Sequence, residues 1–288
     1  MNLREKNIVR LKQEDFDVLV VGAGINGAVS AAALSSRGLK VALVDRGDFA
    51  SETSQESSNL VWGGIKYLET FEFSLVHKLC AARNKLLSHY PSSVKEIRFL
   101  AALEKGFRFH PLLLYLATLV YWVMGNFFTR APRYHSRKTL LNTESKLDPT
   151  SCIGGVEYSD AYLHDNDSRF VFNFVRQAMD NDCATANYVT CVSSKYSEDF
   201  WHTSLLDLED QSAWTIRSKV LINACGPFAD QYNTQSSTRT EHKHIFSKGV
   251  HLVVDQIIPE QRVLAFFADD GRLFFAIPMG PKTCIGTT

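Results

Sequence analysis

Glycines at positions 22, 24 and 27 stand at GxGxxG spacing within "VVGAGINGAVSAAAL" (20–34), and Asp45 follows 18 positions after the last of them. Gly22 permits a tight turn. Gly24 lets backbone approach a pyrophosphate with no β-carbon in the way, and Gly27 allows close helix–strand packing. A helix opening at such a loop offers free N–H groups and the positive end of its dipole to an anion. An acid ending the following strand accepts hydrogen bonds from an adenosine ribose. The set predicts a bound dinucleotide.

The surrounding pattern supplies the elements that this chemistry needs. "DVLVVGAG" reads as a buried strand, Ile25–Ser36 as an Ala-rich helix with Gly38 suited to its C-terminal cap, and "KVALVD" as the next strand. This is a βαβ unit, the mark of a parallel sheet covered by helices.

The stretch that follows separates NAD from FAD. "TSQESSNLVWGG" (53–64) is rich in hydroxyls. Thr53, Ser54, Ser57 and Ser58 are candidates for a second phosphate, and the pair Gly63–Gly64 lets backbone lie against a flat isoalloxazine ring. "VLINACGPFAD" (220–230) reads as a strand whose turn at Gly226 returns backbone to the pyrophosphate, and Val189 in the strand-like run 186–193 joins the cofactor set. A simple NAD enzyme needs none of these parts, so the residues favour FAD.

Further along, 71–90 and 165–180 have helical spacing, the latter with Phe170, Val171, Phe174, Val175 and Met179 on one face. Asp165 and Arg169, four apart at its start, read as an i,i+4 pair. Strand-like runs cover 186–193, 201–208 and 213–225; after about residue 240 come "HLVVD", "LAFFAD", "RLFFAIP" and "TCIGTT", which suggest an antiparallel sheet. The expected fold is α/β: a Rossmann-like domain with a parallel sheet plus β-meander, and a discontinuous antiparallel-sheet substrate domain. The boundaries read as 15–75 with 165–238 for the first, and 76–164 with 239–288 for the second.

Bulk properties exclude several classes. Lys+Arg and Asp+Glu both number 31, so no net field draws nucleic acid. The six cysteines form no CxxC pair and suggest reduced thiols in a cytoplasmic setting; the histidines lack metal spacing, so no metal is assigned. The charged N-terminus is not a secretion signal. "PLLLYLATLVYWVMGNFF" (111–128) carries no charge and is followed by four basic residues between Arg130 and Lys138. The pattern suits either a buried helix or one lying in the headgroup layer of an anionic membrane, with contact through 111–138. Self-association as a homodimer is left open.

Taken in order, "DVLVVGAGINGA", "TSQESSNLVWGGIKYLE", "DAYLHDNDSR", "NACGPFAD", "KGVHLVV" and "IGTT" resemble FAD-dependent glycerol-3-phosphate dehydrogenases, within the D-amino-acid-oxidase-like flavoproteins. The resemblance implies non-covalent FAD and oxidation of sn-glycerol 3-phosphate to dihydroxyacetone phosphate by hydride transfer to flavin N5. It also implies quinone as electron acceptor (oxygen in the oxidases) and a peripheral place on the inner face of the cytoplasmic membrane. His251 is the expected base, facing the flavin from the substrate sheet; neutral imidazole suits proton transfer near pH 7. Lys66 and Arg272 are the expected phosphate-holding cations, and Tyr67 either lines the site or packs. Three features depart from the family pattern. Trp62 stands where His is usual. Lys66 replaces an Arg, keeping the charge but losing the bidentate fork. Members also continue past "GTT" to an Asp, a substrate-gripping glycine-arginine-proline motif and a helical region, so the chain is expected to be a fragment or truncated relative. With Trp62 and Lys66 in place, another small hydroxy acid or amine is the alternative substrate, and an inactive FAD-binding relative the alternative role.

Overall fold

A computed structural model describes residues 1–107, 109–143, 150–247, 249–257, 261–267 and 273–286. The chain divides into two compact units, Met1–Ser57 with Asp165–Phe246, and Ser58–His164 with Ser247–Thr288.

The first unit is built from α1 (Leu3–Gln13), β1 (Phe16–Val21), α2 (Ile25–Ser35), β2 (Val41–Val44), α6 (Asp167–Asp180), β7 (Ala184–Ala186), β8 (Val189–Ser197), β9 (Phe200–Asp207), β10 (Ala213–Asn223) and α7 (Ala229–Gln235). Its six-stranded sheet runs β7-β2-β1-β10-β9-β8. β1 lies parallel to both β2 and β10, β2 parallel to β7, and β8–β9–β10 form an antiparallel meander. β1 is apolar on both faces, as a central parallel strand must be. Phe16, Leu19 and Val21 face a core shared with α1 and Tyr232 of α7, while Val18 and Val20 face the alanines of α2 and Val171 and Val175 of α6. Alanine on α2 lets that helix sit close to the sheet. α6 starts at an Asn166 cap, whose side chain accepts from Arg169 N at 2.8 Å, and the Asp165–Arg169 pair stands at 3.9 Å.

The second unit holds β3 (Leu60–Val61), α3 (Phe73–His89), β4 (Val94–Glu104), α4 (Pro111–Met124), β5 (Arg133–Ser136), α5 (Arg137–Thr143), β6 (Cys152–Leu163), β11 (Leu252–Asp255), β12 (Arg262–Phe267), β13 (Leu273–Met279) and β14 (Lys282–Gly286). Its sheet runs β11-β14-β13-β12-β4-β6-β3, with β5 added against β6. Pairing is antiparallel throughout except between β12 and β4. The expected architecture is therefore present: parallel sheet, meander and a separate antiparallel sheet.

Two local readings are corrected. The run 186–193 is not one strand. It breaks at Asn187–Tyr188, with Tyr188 at φ +54°, so that Ala184–Ala186 pairs with β2 and Val189 starts the meander. Residues 58–75 belong with the second compact unit rather than the first, because Leu60 and Val61 pair with Tyr162 and Ala161 and Gly63 N donates to Asp160.

Candidate functional site

The glycine loop is shaped by backbone meeting backbone. Gly22 sits at φ +101°, and a β-carbon there would lie 2.5 Å from Ala224 O. A β-carbon at Gly27 would collide with the carbonyl oxygen of Gly22, so Gly27 serves closure of the loop itself as well as packing against Ala224. Gly24 differs. Its φ of −71° and ψ of −174° suit any residue, and the nearest atom to an added β-carbon is Ser54 Oγ at 3.4 Å, an ordinary contact. The protein's own packing does not require glycine at 24.

Gly24 is the N-cap of α2 and offers no side-chain cap, leaving the first-turn amides to other partners. Ile25 N donates to Ser54 Oγ at 3.2 Å. Asp45 closes the loop from the sheet side: its Oδ2 accepts from Ala23 N at 2.6 Å and its Oδ1 from Gly47 N at 2.8 Å. Burial raises the Asp45 carboxyl above its ordinary value against the pull of those two amides. A carboxylate oxygen has more than one lone pair, so a clamped Asp45 retains capacity to accept from a sugar hydroxyl.

These groups surround a cavity of about 330 Å³ in the first unit. Gly22, Gly24, Asp45, Thr53, Ser54, Val189 and Gly226 all line it. Ser57 does not; its hydroxyl bonds the carboxylate of Asp167 at the start of α6. Among the wall positions that were not anticipated are Arg46, Glu52, Phe228 and Tyr232. The Arg46 guanidinium lies 3.8 Å from the Phe228 ring centroid and pairs with Glu52 at 3.2 Å. Glu52 adopts φ +57°, strained for a residue with a β-carbon, and brings a negative charge to the cavity wall. The thiols of Cys191 and Cys225 also face the cavity. Burial raises both, Cys225 to about 12 with Cys191 as a secondary cause, so they are neutral lining rather than nucleophiles.

The remaining candidates lie in the second unit. Gly63 is buried and Gly64 takes φ +81° ahead of the exposed Lys66. Tyr67 packs its ring against Gly64 and lies 6.1 Å from Trp62. His251 is half-buried just before β11; its Nε2 is buried and has no hydrogen-bond partner among the described residues. A β-carbon at Gly286 would strike the His251 ring, so this glycine makes room for the imidazole. Arg272 lies outside the described residues. No cluster of three metal-ligating side chains occurs among the described residues.

The model for the FAD-dependent oxidoreductases (DAO) matches residues 17–288. The chain belongs to that family. Aerobic glycerol-3-phosphate dehydrogenase of Staphylococcus saprophyticus is 30% identical to it over 294 residues, covering 99% of this chain and 52% of the relative. Glycerol-3-phosphate dehydrogenase of Pseudomonas aeruginosa is 32% identical over 278 residues, 96% of this chain and 52% of that one. Among solved structures, the glycerol-3-phosphate dehydrogenase of Bacillus halodurans, complexed with FAD, superposes with a TM-score of 0.73 at 26% identity, over 99% of this chain and 49% of the other. The chain thus spans about half the length of the curated relatives it matches.

FAD is the cofactor of this family, and the cavity fits its ADP portion: a loop closed on itself, a helix start without a side-chain cap, and open space beside Gly24. Gly24→Ala should weaken FAD binding at least tenfold, about 1.4 kcal/mol, while costing the FAD-free fold under about 1 kcal/mol. A melting-temperature loss without an affinity loss would contradict it. Glu52→Gly should act the other way, tightening FAD several-fold at no cost in stability, because it removes both a left-handed strain of roughly 1–2 kcal/mol and a charge beside the diphosphate. Fluorescence titration with FAD and thermal melts of the same samples check both.

Proposed function

We propose that this chain is the FAD-binding and substrate-sheet portion of an enzyme that oxidises sn-glycerol 3-phosphate to dihydroxyacetone phosphate, with electrons passing to quinone. The observation carrying this reading is the uncapped helix start at Gly24, with open space beside it and Asp45 clamping the loop, in a chain about 30% identical to proteins named for that reaction.

The first unit would hold the ADP portion through Gly22, Gly24, Thr53, Ser54, Val189 and Gly226, with Asp45 accepting from the ribose. When bound, FAD supplies the two-electron acceptor for the hydride leaving C2. The proton of the C2 hydroxyl goes to the His251 imidazole, half-buried just before β11. Lys66 holds the phosphate as a point charge through its three ammonium donors. With FAD loaded under anaerobic conditions, sn-glycerol 3-phosphate should bleach the flavin band, and His251→Gln should slow that bleaching about 10²–10⁴-fold with little change in substrate affinity. Bleaching by a small hydroxy acid or amine but by no phosphate ester would replace the substrate. FAD uptake with no bleaching by any of them would leave a binding protein.

A peripheral membrane location is supported by α4. No helix among the described residues is long and apolar enough to cross a membrane, and α4 at 14 residues spans about 21 Å against a hydrocarbon core of about 30 Å. Leu112, Leu113, Leu116, Val120 and Val123 are each about half exposed and fall within an arc of about 100° on a 3.6-residue helix. Pro111, Thr118 and Tyr121 are buried on the opposite side. Phe127 and Phe128 extend the apolar face, and exposed Arg130, Arg133, Arg137 and Lys138 follow. An apolar stripe followed in the chain by four exposed cations fits the headgroup layer of an anionic bilayer. The double variant Leu113→Glu, Leu116→Glu should lower partition onto vesicles containing phosphatidylglycerol at least tenfold without lowering the melting temperature. Equal partition of wild type and variant would remove the assignment.

A further inference from the structure

The chain leaves α4 through a strained turn that shows two aromatic rings to solvent. Gly125 caps the helix. Asn126 and Phe127 then both take left-handed backbone, at φ +54° and +58°. Asparagine tolerates that region; for a bulky residue it is a genuine outlier. Such strain persists only where the surroundings over-determine it, and it gathers at functional segments.

The surroundings of this turn do so. Asn126 N donates to Val123 O at 2.9 Å, Phe127 N to Trp122 O at 3.1 Å and Phe128 N to Gly125 O at 3.2 Å. Trp122 Nε1 donates across the turn to Thr129 O at 2.6 Å, and the Trp122 and Phe127 rings meet edge-on with centroids 4.7 Å apart. Asn84 of α3 donates to Gly125 O at 2.8 Å. Glu96 of β4 accepts from Arg130 N at 2.9 Å and Arg130 Nε at 3.1 Å. On the inner face of the helix, Tyr121 Oη donates at 2.7 Å to the buried carboxylate of Asp160 on β6. That carboxylate also pairs with Arg83 of α3 at 2.6 Å and accepts from Gly63 N at 3.1 Å. Helix and turn are thus braced within the second unit before and after the bend.

The bracing leaves the two rings outside. Thr129 is buried, yet Phe127 and Phe128 stay 56% and 50% exposed. A chain reversal alone calls for glycine or asparagine at left-handed positions, not for phenyl rings. Charge marks what covers them. No acid occurs between Glu104 and Glu144, while Arg130, Arg133, Arg137 and Lys138 follow the rings. Apolar rings followed by cations, with no carboxylate among them, complement an anionic lipid surface.

We propose that the Gly125–Thr129 turn is a preset anchor that carries the Phe127 and Phe128 rings beneath the headgroups of an anionic bilayer. The inference rests on the peripheral reading of α4. It adds which side chains reach deepest, and that their pose exists before contact.

The full 288-residue chain and vesicles containing phosphatidylglycerol test this. The double variant Phe127→Ser, Phe128→Ser should partition at least tenfold more weakly than wild type, since membrane binding scales with buried apolar area. Trp122→Phe keeps both rings but frees Thr129 O, and should lose partition several-fold. Phe128→Trp should gain fluorescence that brominated acyl chains quench beyond the level of wild type. Wild-type partition by the serine variant, or no added quenching of the new tryptophan, overturns the anchor and leaves the α4 stripe standing. Wild-type partition by Trp122→Phe overturns the preset pose. If the serine variant does not fold, the Phe128→Trp quenching decides. A wild-type chain that does not partition at all overturns the peripheral reading and the anchor together.

Discussion

The cofactor unit depends on how closely three backbone segments meet at one point. The carbonyl of Gly22 fills the place of a β-carbon on Gly27, and that of Ala224 crowds the place of one on Gly22. This contact is possible because β1 lies between β2 and β10, both parallel to it, so that the ends of all three strands and the start of α2 converge. Any side chain at 22 or 27 would push the loop from the sheet. The amides of α2 would then no longer point into the cavity, and Asp45 could not reach Ala23 N.

The second unit fixes its glycine turn by different means. No backbone wedge shapes Gly63–Gly64; an ion pair in the protein interior does, with Tyr121 bringing α4 into the same network. That helix thus has two unlike faces. Its inner face contributes a phenol to a buried carboxylate, and its outer face is apolar and uncovered. On the cavity wall, Glu52 combines a negative charge with a left-handed backbone, and Arg46 pairs with it.

Much of this was legible in the residues. GxGxxG after an apolar run and before alanines left few alternatives to a βαβ loop, and the meander and terminal antiparallel strands followed from period and punctuation. What could not be read had physical causes. β4 and β6 are long strands buried on both faces, so "VKEIRFLAALE" and "CIGGVEYSDAYL" show no clean alternation. The helix α1 is mostly polar and owes its place to tertiary contacts such as Asn7 Nδ2 donating to Thr185 O at 3.0 Å. Tyr188 at a positive φ broke a run that its neighbours' propensity favoured as strand. Ser57 looked like its hydroxyl neighbours, and only the position of Asp167 on α6 turns it from the cavity. Arg83 and Asp160 lie far apart in sequence, and nothing local marks either as part of a pair.

The central claim is that the cavity above Asp45 is made for a flavin dinucleotide. Its most direct test is the flavin content of the chain after incubation with excess FAD and gel filtration, read from the visible absorption spectrum. The account predicts one flavin per chain, displaced by added ADP. A colourless chain that elutes folded and free of flavin would contradict it.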